Sequence, residues 1–298
     1  MRIGTLVRSS SLGYDVALDD GEDIRAQRRR RGDIREGLPV IGDRVEIDDQ
    51  GLISRILPRT RLLTRPRIAN LDQVAVTVSA REPHLSLFLL DKYLTACSHA
   101  EIPALIIVSK WDLLSPEEIP ATDISLRPYE SLGYRVYRTG GRDDPELERI
   151  RALMAGKISA FMGQTGVGKS SLANLIDPLF DRPIGRFDSS MGRGIHQTKE
   201  VVLFRFAGGF LADTPGFSDF QLNLTRGQLA IDFPGYSDYQ GECQFRGCLH
   251  NGIRGCAIEK AVKEGKLSPA SYENYLKLFQ ECPPDSWETE RRLKGEKI

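Results

Sequence analysis

The stretch GQTGVGKSS, residues 163–171, decides how the rest of this 298-residue chain is read. Gly163, four residues, then Gly168, Lys169 and Ser170 form a G-x-x-x-x-G-K-S/T pattern. It lies between a strand-like run, KISAFMG (157–163), and a helical one, SSLANLI (170–176), which is the context a phosphate loop requires. Glycines let the backbone fold around an anion with several N–H groups pointing inward. Gln164, Thr165, Gly166 and Val167 complete the cradle, and Ser170 and Ser171 open the helix. Lys169 can reach the β- and γ-phosphates, the Ser170 hydroxyl can ligate magnesium, and the helix N-terminus favours negative charge. A nucleotide site is expected. Its placement is unusual, because the loop comes after the midpoint of the chain.

Downstream, DTPG (213–216) ends the apolar run GGFLA. Asp213, at a strand's carboxyl end, is placed to hold magnesium through water, and the Gly216 N–H can meet a γ-phosphate. Between the two motifs lies MGRGIHQTKEVVLF (191–204), where a first switch belongs. Thr198 is the residue expected to cap magnesium and the γ-phosphate, and Gly192 and Gly194 suit a segment that orders on nucleotide binding. Phe217 stands where a water-orienting glutamine would serve, and it cannot orient water. His196 is the nearest group that could; a plain loop histidine is the alternative reading.

Upstream, SKWD (109–112) follows the strand-like PALIIV. It resembles the N-K-x-D element of GTPases, in which an aspartate accepts from guanine N1 and the 2-amino group. Asp112 would select guanine, and Lys110 would lay its stem against the base, with Trp111 between them. A helix cap in a strand-to-helix turn is the bland alternative. Ser109 replaces the usual asparagine, which loses a cross-linking side-chain amide. Thr139 and Gly140, in YRTGG (137–141), would present backbone to the base. These base-reading elements precede the phosphate loop, whereas GTPases normally carry them after it. The expected core is therefore circularly permuted. Strand-like DQVAVTVSA (72–80) and helical LFLLDKYLTACSHA (87–100) and DPELERIRALMAG (144–156) fit a parallel sheet with covering helices.

The first 66 residues have a different texture. GYDVALDDGEDIRA (13–26) and PVIGDRVEIDDQGLISRI (39–56) alternate apolar and polar residues between tight-turn signals, as in a small β-barrel of OB or SH3-like type. The run QRRRRGDIR (27–35) reads either as a solvated loop or as an RNA-contacting one, since arginine forks suit phosphates.

Cutting a permuted core after its D-x-x-G strand leaves that region near a free end, and metal is the expected tie. Cys243, Cys248, His250 and Cys256 follow a C-x4-C-x-H-x5-C spacing, with glycines at 247, 252 and 255 for tight turns. Three thiolates and an imidazole match a closed, structural zinc site better than a catalytic one. A final helix is expected over SPASYENYLKLFQE (268–281).

The totals exclude little but agree. Forty-one basic and 41 acidic residues balance, so any nucleic-acid argument rests on local clusters. No apolar run is long enough for a membrane span, and the N-terminus lacks an apolar signal core. An odd count of five cysteines suits a reducing compartment, the cytoplasm. Nothing demands more than a monomer.

Together, the barrel, SKWD, GQTGVGKSS, DTPGF and the C-x4-C-x-H-x5-C module resemble the RsgA (YjeQ) family over essentially the whole chain. The resemblance implies three domains: an OB-like barrel (1–66), a permuted α/β GTPase domain (67–222) and a zinc-binding module with helices (223–298). It implies a magnesium-dependent GTPase that assists late maturation of the small ribosomal subunit, binding its rRNA according to nucleotide state and stimulated by the subunit. A nucleotide-gated module acting on another RNA is the alternative. The family's G-x-H-T-T switch motif falls on Gly194 to Thr198, with Gln197 departing from it.

Overall fold

The structure is a computed structural model that describes residues 1–28, 37–64, 66–178, 201–213 and 222–286. Most of the arginine run, the 191–200 part of the switch segment with His196 and Thr198, and Gly216 and Phe217 lie outside the described residues.

Five strands, β1 (Arg2–Ser10), β2 (Gly13–Leu18), β3 (Asp23–Arg28), β4 (Arg44–Ile47) and β5 (Leu52–Ile56), close into a barrel. Their order is β1-β2-β3-β5-β4, a Greek-key closure of OB type. The long β1 pairs with both β2 and β4, and a register shift between Leu6 and Arg8 lets it turn the corner. Leu6, Val16, Leu18, Val45, Ile47 and Ile53 fill the interior. The expected alternation of Val45 and Ile47 is what places them there.

A hairpin of β6 (Leu62–Thr64) and β7 (Arg67–Ala69) follows. It joins the barrel to the sheet: the Ala69 amide donates to the Ile41 carbonyl at 2.8 Å, and Ile68 is fully buried in the sheet's core.

The second unit is a six-stranded sheet in the order β10-β9-β8-β11-β13-β12. Its strands are β8 (Gln73–Ser79), β9 (Ala104–Ser109), β10 (Val136–Arg138), β11 (Ile158–Met162), β12 (Val202–Phe206) and β13 (Gly209–Asp213). All neighbours are parallel except the β12–β13 hairpin. β8 is buried along its whole length, as a central strand covered on both faces must be. Its side chains alternate between two cores. Val74, Val76 and Val78 meet α1 (Leu87–His99) and α2 (Glu118–Ser131), whereas Ala75 meets α3 (Glu146–Met154) and α4 (Lys169–Ile176).

The third unit packs α5 (Arg226–Asp232), α6 (Ala257–Lys263) and α7 (Pro269–Glu281) around Phe233, Tyr275 and Leu278. Two of its starts are capped in sequence-local fashion: a Thr225–Gln228 capping box opens α5, and Ser268 with Pro269 opens α7. This unit docks on α1. Lys92 pairs with Glu281 at 3.1 Å and His99 with Asp232 at 2.8 Å. Between them Asp91, fully buried, accepts from Asn274 at 2.8 Å, Ser271 at 3.2 Å and the Tyr129 hydroxyl of α2 at 2.8 Å. The docking differs from the metal tie read from the sequence. All four ligands fall within 243–256, so a metal there cross-links one loop, and α7 makes the connection to the sheet. No helix among the described residues is long and apolar enough to cross a membrane.

Candidate nucleotide site and metal centre

The phosphate loop leaves the carboxyl end of β11, one of the two central strands of the sheet, and runs into α4. Ligands of open α/β sheets bind at that edge. A side chain at Gly163 would place its Cβ 2.1 Å from the Thr77 carbonyl, so β8 and the loop can approach this closely only with glycine there. Gly168, at φ +90°, turns the chain into α4. Lys169 bends back over the loop and donates to the carbonyls of Gly163 at 2.5 Å and Gln164 at 2.9 Å. Burial lowers its pKa below the usual lysine value, a cost that an anionic phosphate would offset.

The base-reading stretch is clamped onto this loop. Ser109, at the end of β9 and buried, donates from its hydroxyl to the Val167 carbonyl at 2.6 Å. The serine has no side-chain amide, but its hydroxyl bonds the phosphate loop directly. Lys110 adopts a left-handed conformation at φ +57° and donates to the Gly166 carbonyl at 2.9 Å and to the Glu82 carbonyl. Its side chain therefore bridges the end of β9 and the phosphate loop. Trp111 starts a short 3-10 turn, and its amide donates to the Thr139 carbonyl at 2.9 Å. A Cβ at Gly140 would sit 2.9 Å from that of Asp112, so the glycine leaves the Asp112 carboxylate its room. Residues 109–112, 139–140 and 163–169 thus converge.

One detail departs from expectation. The Thr139 amide is used in the sheet, bonding the Val108 carbonyl at 2.8 Å, and the Gly140 amide donates to the Asp144 carboxylate at 2.7 Å. A base contact through the Gly140 amide would compete with this bond to Asp144. Asp144 carries no motif signal, and its role follows only from the fold.

The parallel register of β11 and β13 pairs Ala160 with Ala212. The Asp213 backbone therefore ends on the same edge from which the phosphate loop departs. A hydroxyl at 170 and a carboxylate at 213 are hard oxygen donors of the type magnesium takes.

In the third unit the donor atoms of Cys243, Cys248, His250 and Cys256 all lie within 4.8 Å of one another. His250 Nδ1 is 3.6 Å from Cys243 Sγ and 3.4 Å from Cys256 Sγ. Zinc–sulfur and zinc–nitrogen bonds of about 2.3 and 2.05 Å at tetrahedral angles predict an edge of about 3.55 Å, so the cluster has the dimensions of a tetrahedral site. Burial holds the His250 imidazole down at about 4, in the neutral form that ligates, and the ring also hydrogen-bonds the Ala230 carbonyl of α5. Burial pushes the Cys256 thiol up to about 12, so its thiolate form calls for an adjacent cation. The tyrosines of α7 grip the same loop: Tyr272 donates to the His250 carbonyl at 3.0 Å and Tyr275 to that of Leu249. Cys97 and Cys282 are buried and stand apart from the cluster.

These features define a class: a P-loop GTPase with a circularly permuted core, flanked by a small barrel and a Cys3His module. Residues 56–223 match the family model described as RsgA GTPase. Relatives named small ribosomal subunit biogenesis GTPase RsgA include one from Lactobacillus johnsonii, 36% identical over 93% of this chain and 94% of its own. Another, from Streptococcus pyogenes, is 40% identical over 93% and 94%. The crystal structure of YloQ, described as a circularly permuted GTPase, superposes with a TM-score of 0.77 at 32% identity, covering 94% of both chains. That of YjeQ from Thermotoga maritima gives 0.79 at 30% identity, covering 94% of this chain and 98% of that one. The chain belongs to the RsgA GTPase family.

Proposed function

We propose that this GTPase assists maturation of the small ribosomal subunit, binding its rRNA and using GTP hydrolysis to time release. The observation that carries the reading is the clamp of Ser109 and Lys110 onto Val167 and Gly166, which brings the proposed base-reading stretch against the phosphate loop. In the proposed division of labour, Asp112 reads guanine, Lys110 covers the base, and Gly163 to Ser171 cradle the phosphates. Lys169 neutralises the β- and γ-oxygens. Ser170, Thr198 and Asp213 hold magnesium, which would polarise the phosphoryl group. The Gly216 amide meets the γ-phosphate and His196 orients water. Cys243, Cys248, His250 and Cys256 would hold one structural zinc ion.

The proposed boundaries lie near 66 and 222, supported by the change from barrel to parallel sheet and by a family match that ends at residue 223. The barrel, with the arginines that follow β3, and the Cys3His module would contact rRNA. A monomer in the cytoplasm suits this role.

The test is GTP turnover, with ATP as control, in the presence and absence of purified small ribosomal subunits. Stimulation confined to GTP is expected. Guanine-specific turnover that subunits leave unchanged would refute the ribosomal partner, and equal use of ATP would refute Asp112 as the base reader.

A further inference from the structure

The donors around the proposed base site are held in two different ways. Ser109 and Lys110 commit their side chains to the carbonyls of Val167, Gly166 and Glu82. The Trp111 amide bonds the Thr139 carbonyl, and the Thr139 amide bonds the Val108 carbonyl. All of these partners are main chain, so the ends of β9 and β10 are fixed against each other and against the phosphate loop. The Gly140 amide differs. Its partner is a side chain, Asp144 Oδ2 at 2.7 Å.

Asp144 is placed to give that bond up. Its other oxygen accepts from the amide of Glu146, the first residue of α3, at 2.9 Å. That second bond anchors the carboxylate whether or not Gly140 is attached. Asp144 is half-buried, so water can reach the oxygen that lets go. Gly140 in turn lies against the residue proposed to read the base, since a Cβ there would sit 3.2 Å from Asp112 Oδ1. A guanine that donates N1–H and its 2-amino group to Asp112 carries its 6-oxo group next to N1, along the same edge. That oxo group is an acceptor and needs a donor beside Asp112. Adenine carries an amino group at this position and cannot accept from Gly140.

We infer that Asp144 is a built-in competitor of the base: its carboxylate and the 6-oxo group of a guanine nucleotide take the Gly140 amide in turn. The inference rests on the proposed base site and goes beyond it, by assigning Asp144 a part that opposes binding. Each guanine nucleotide displaces the carboxylate to make its full set of bonds. Apparent affinity is therefore reduced by the fraction of chains whose amide is free. The returning carboxylate also hastens release of GDP, so the residue shortens the life of the product complex.

A competitor and a structural brace predict opposite signs. The experiment uses the full chain with magnesium, a fluorescent GDP, and competing unlabelled nucleotides. Asp144→Ala is expected to tighten GDP about twofold to tenfold, the worth of one hydrogen bond exchanged, and to slow release by a similar factor. Asp144→Asn keeps a carbonyl acceptor without the charge and should gain less. IDP retains the 6-oxo group and should gain as GDP does. The diphosphate of 2,6-diaminopurine riboside has an amino group there and should gain nothing. Weaker or unchanged GDP binding in Asp144→Ala would overturn the inference. So would equal gains in the alanine and asparagine variants, or an equal gain for the diaminopurine nucleotide, because either would assign the effect to charge alone. Loss of the Glu146 bond cannot mimic a gain in affinity. Should the alanine variant fail to fold, Asp144→Ser leaves one side-chain oxygen for the Glu146 amide and is read the same way. Equal affinity of the wild type for ADP and GDP would sink the proposed base site. Guanine selectivity without a gain in Asp144→Ala would sink this inference alone.

Discussion

Asp91 offers the sharpest quantitative test of how the third unit is held. Its carboxyl is fully buried, and burial raises its pKa from an ordinary 3.8 to about 7, against the opposing pull of bonds from Asn274, Tyr129 and Ser271. The folded state therefore keeps a proton that the unfolded chain releases. A raised pKa contributes stability that is whole below about pH 4, declines as pH rises and is gone above about pH 7. A rise of this size corresponds to about 4 kcal/mol in all. The part expressed between pH 5 and pH 8 is roughly 2.6 kcal/mol. Asp91→Asn removes the titration while keeping the shape. Urea unfolding of the metal-loaded chain and this variant at pH 5 and pH 8 measures the difference; taking the variant as reference cancels other titrating groups. The wild type should lose roughly 2–3 kcal/mol more than the variant over that range. Parallel losses in the two proteins would refute the argument, because a carboxyl with an ordinary pKa gives no differential between pH 5 and pH 8.

Other expectations bear on the nucleotide and metal sites. Ser109→Ala strands the Val167 carbonyl and should weaken GTP binding about fivefold to tenfold by calorimetry, with guanine preference intact; no change would show that the cross-link is idle. Lys169→Ala should abolish nucleotide binding by the same method, and retained affinity would refute the phosphate-loop assignment. His196→Ala should slow subunit-stimulated turnover with little effect on affinity; unchanged turnover would remove the histidine from the mechanism. Chelation should release one metal ion per chain and raise amide exchange in 243–256 and the start of α6, where Cys256 is the N-cap, while the barrel stays protected. Uniform exchange throughout would contradict the confinement of the cross-link to one loop.

Elements whose physics is local could be read along the chain. The phosphate loop is one contiguous run between a strand and a helix, and the four metal donors lie within a short loop with its turns supplied, so both were legible without a fold. The permuted order was legible too, because it is an order of motifs along the chain. The barrel's alternation marked its inward residues, though closure and strand order were not contained in it. Helix α2 carried no clear sequence signal: Pro120 and Pro128 interrupt its pattern, yet the first lies in the opening turn, where no amide bond is lost. Contacts between distant residues were settled by folding alone. Ser109 meets Val167 across 58 positions, so no pattern at SKWD could show that serine still reaches the loop. Asp144 holding Gly140, the Tyr236 hydroxyl buried without a hydrogen-bond partner, and Asp91 of α1 bonded by groups from α2 and α7 are of the same kind. Each depends on which surfaces meet when the sheet is covered and the third unit docks. Burial, which shifts a carboxyl or strands a hydroxyl, is a property of that meeting and not of any one segment.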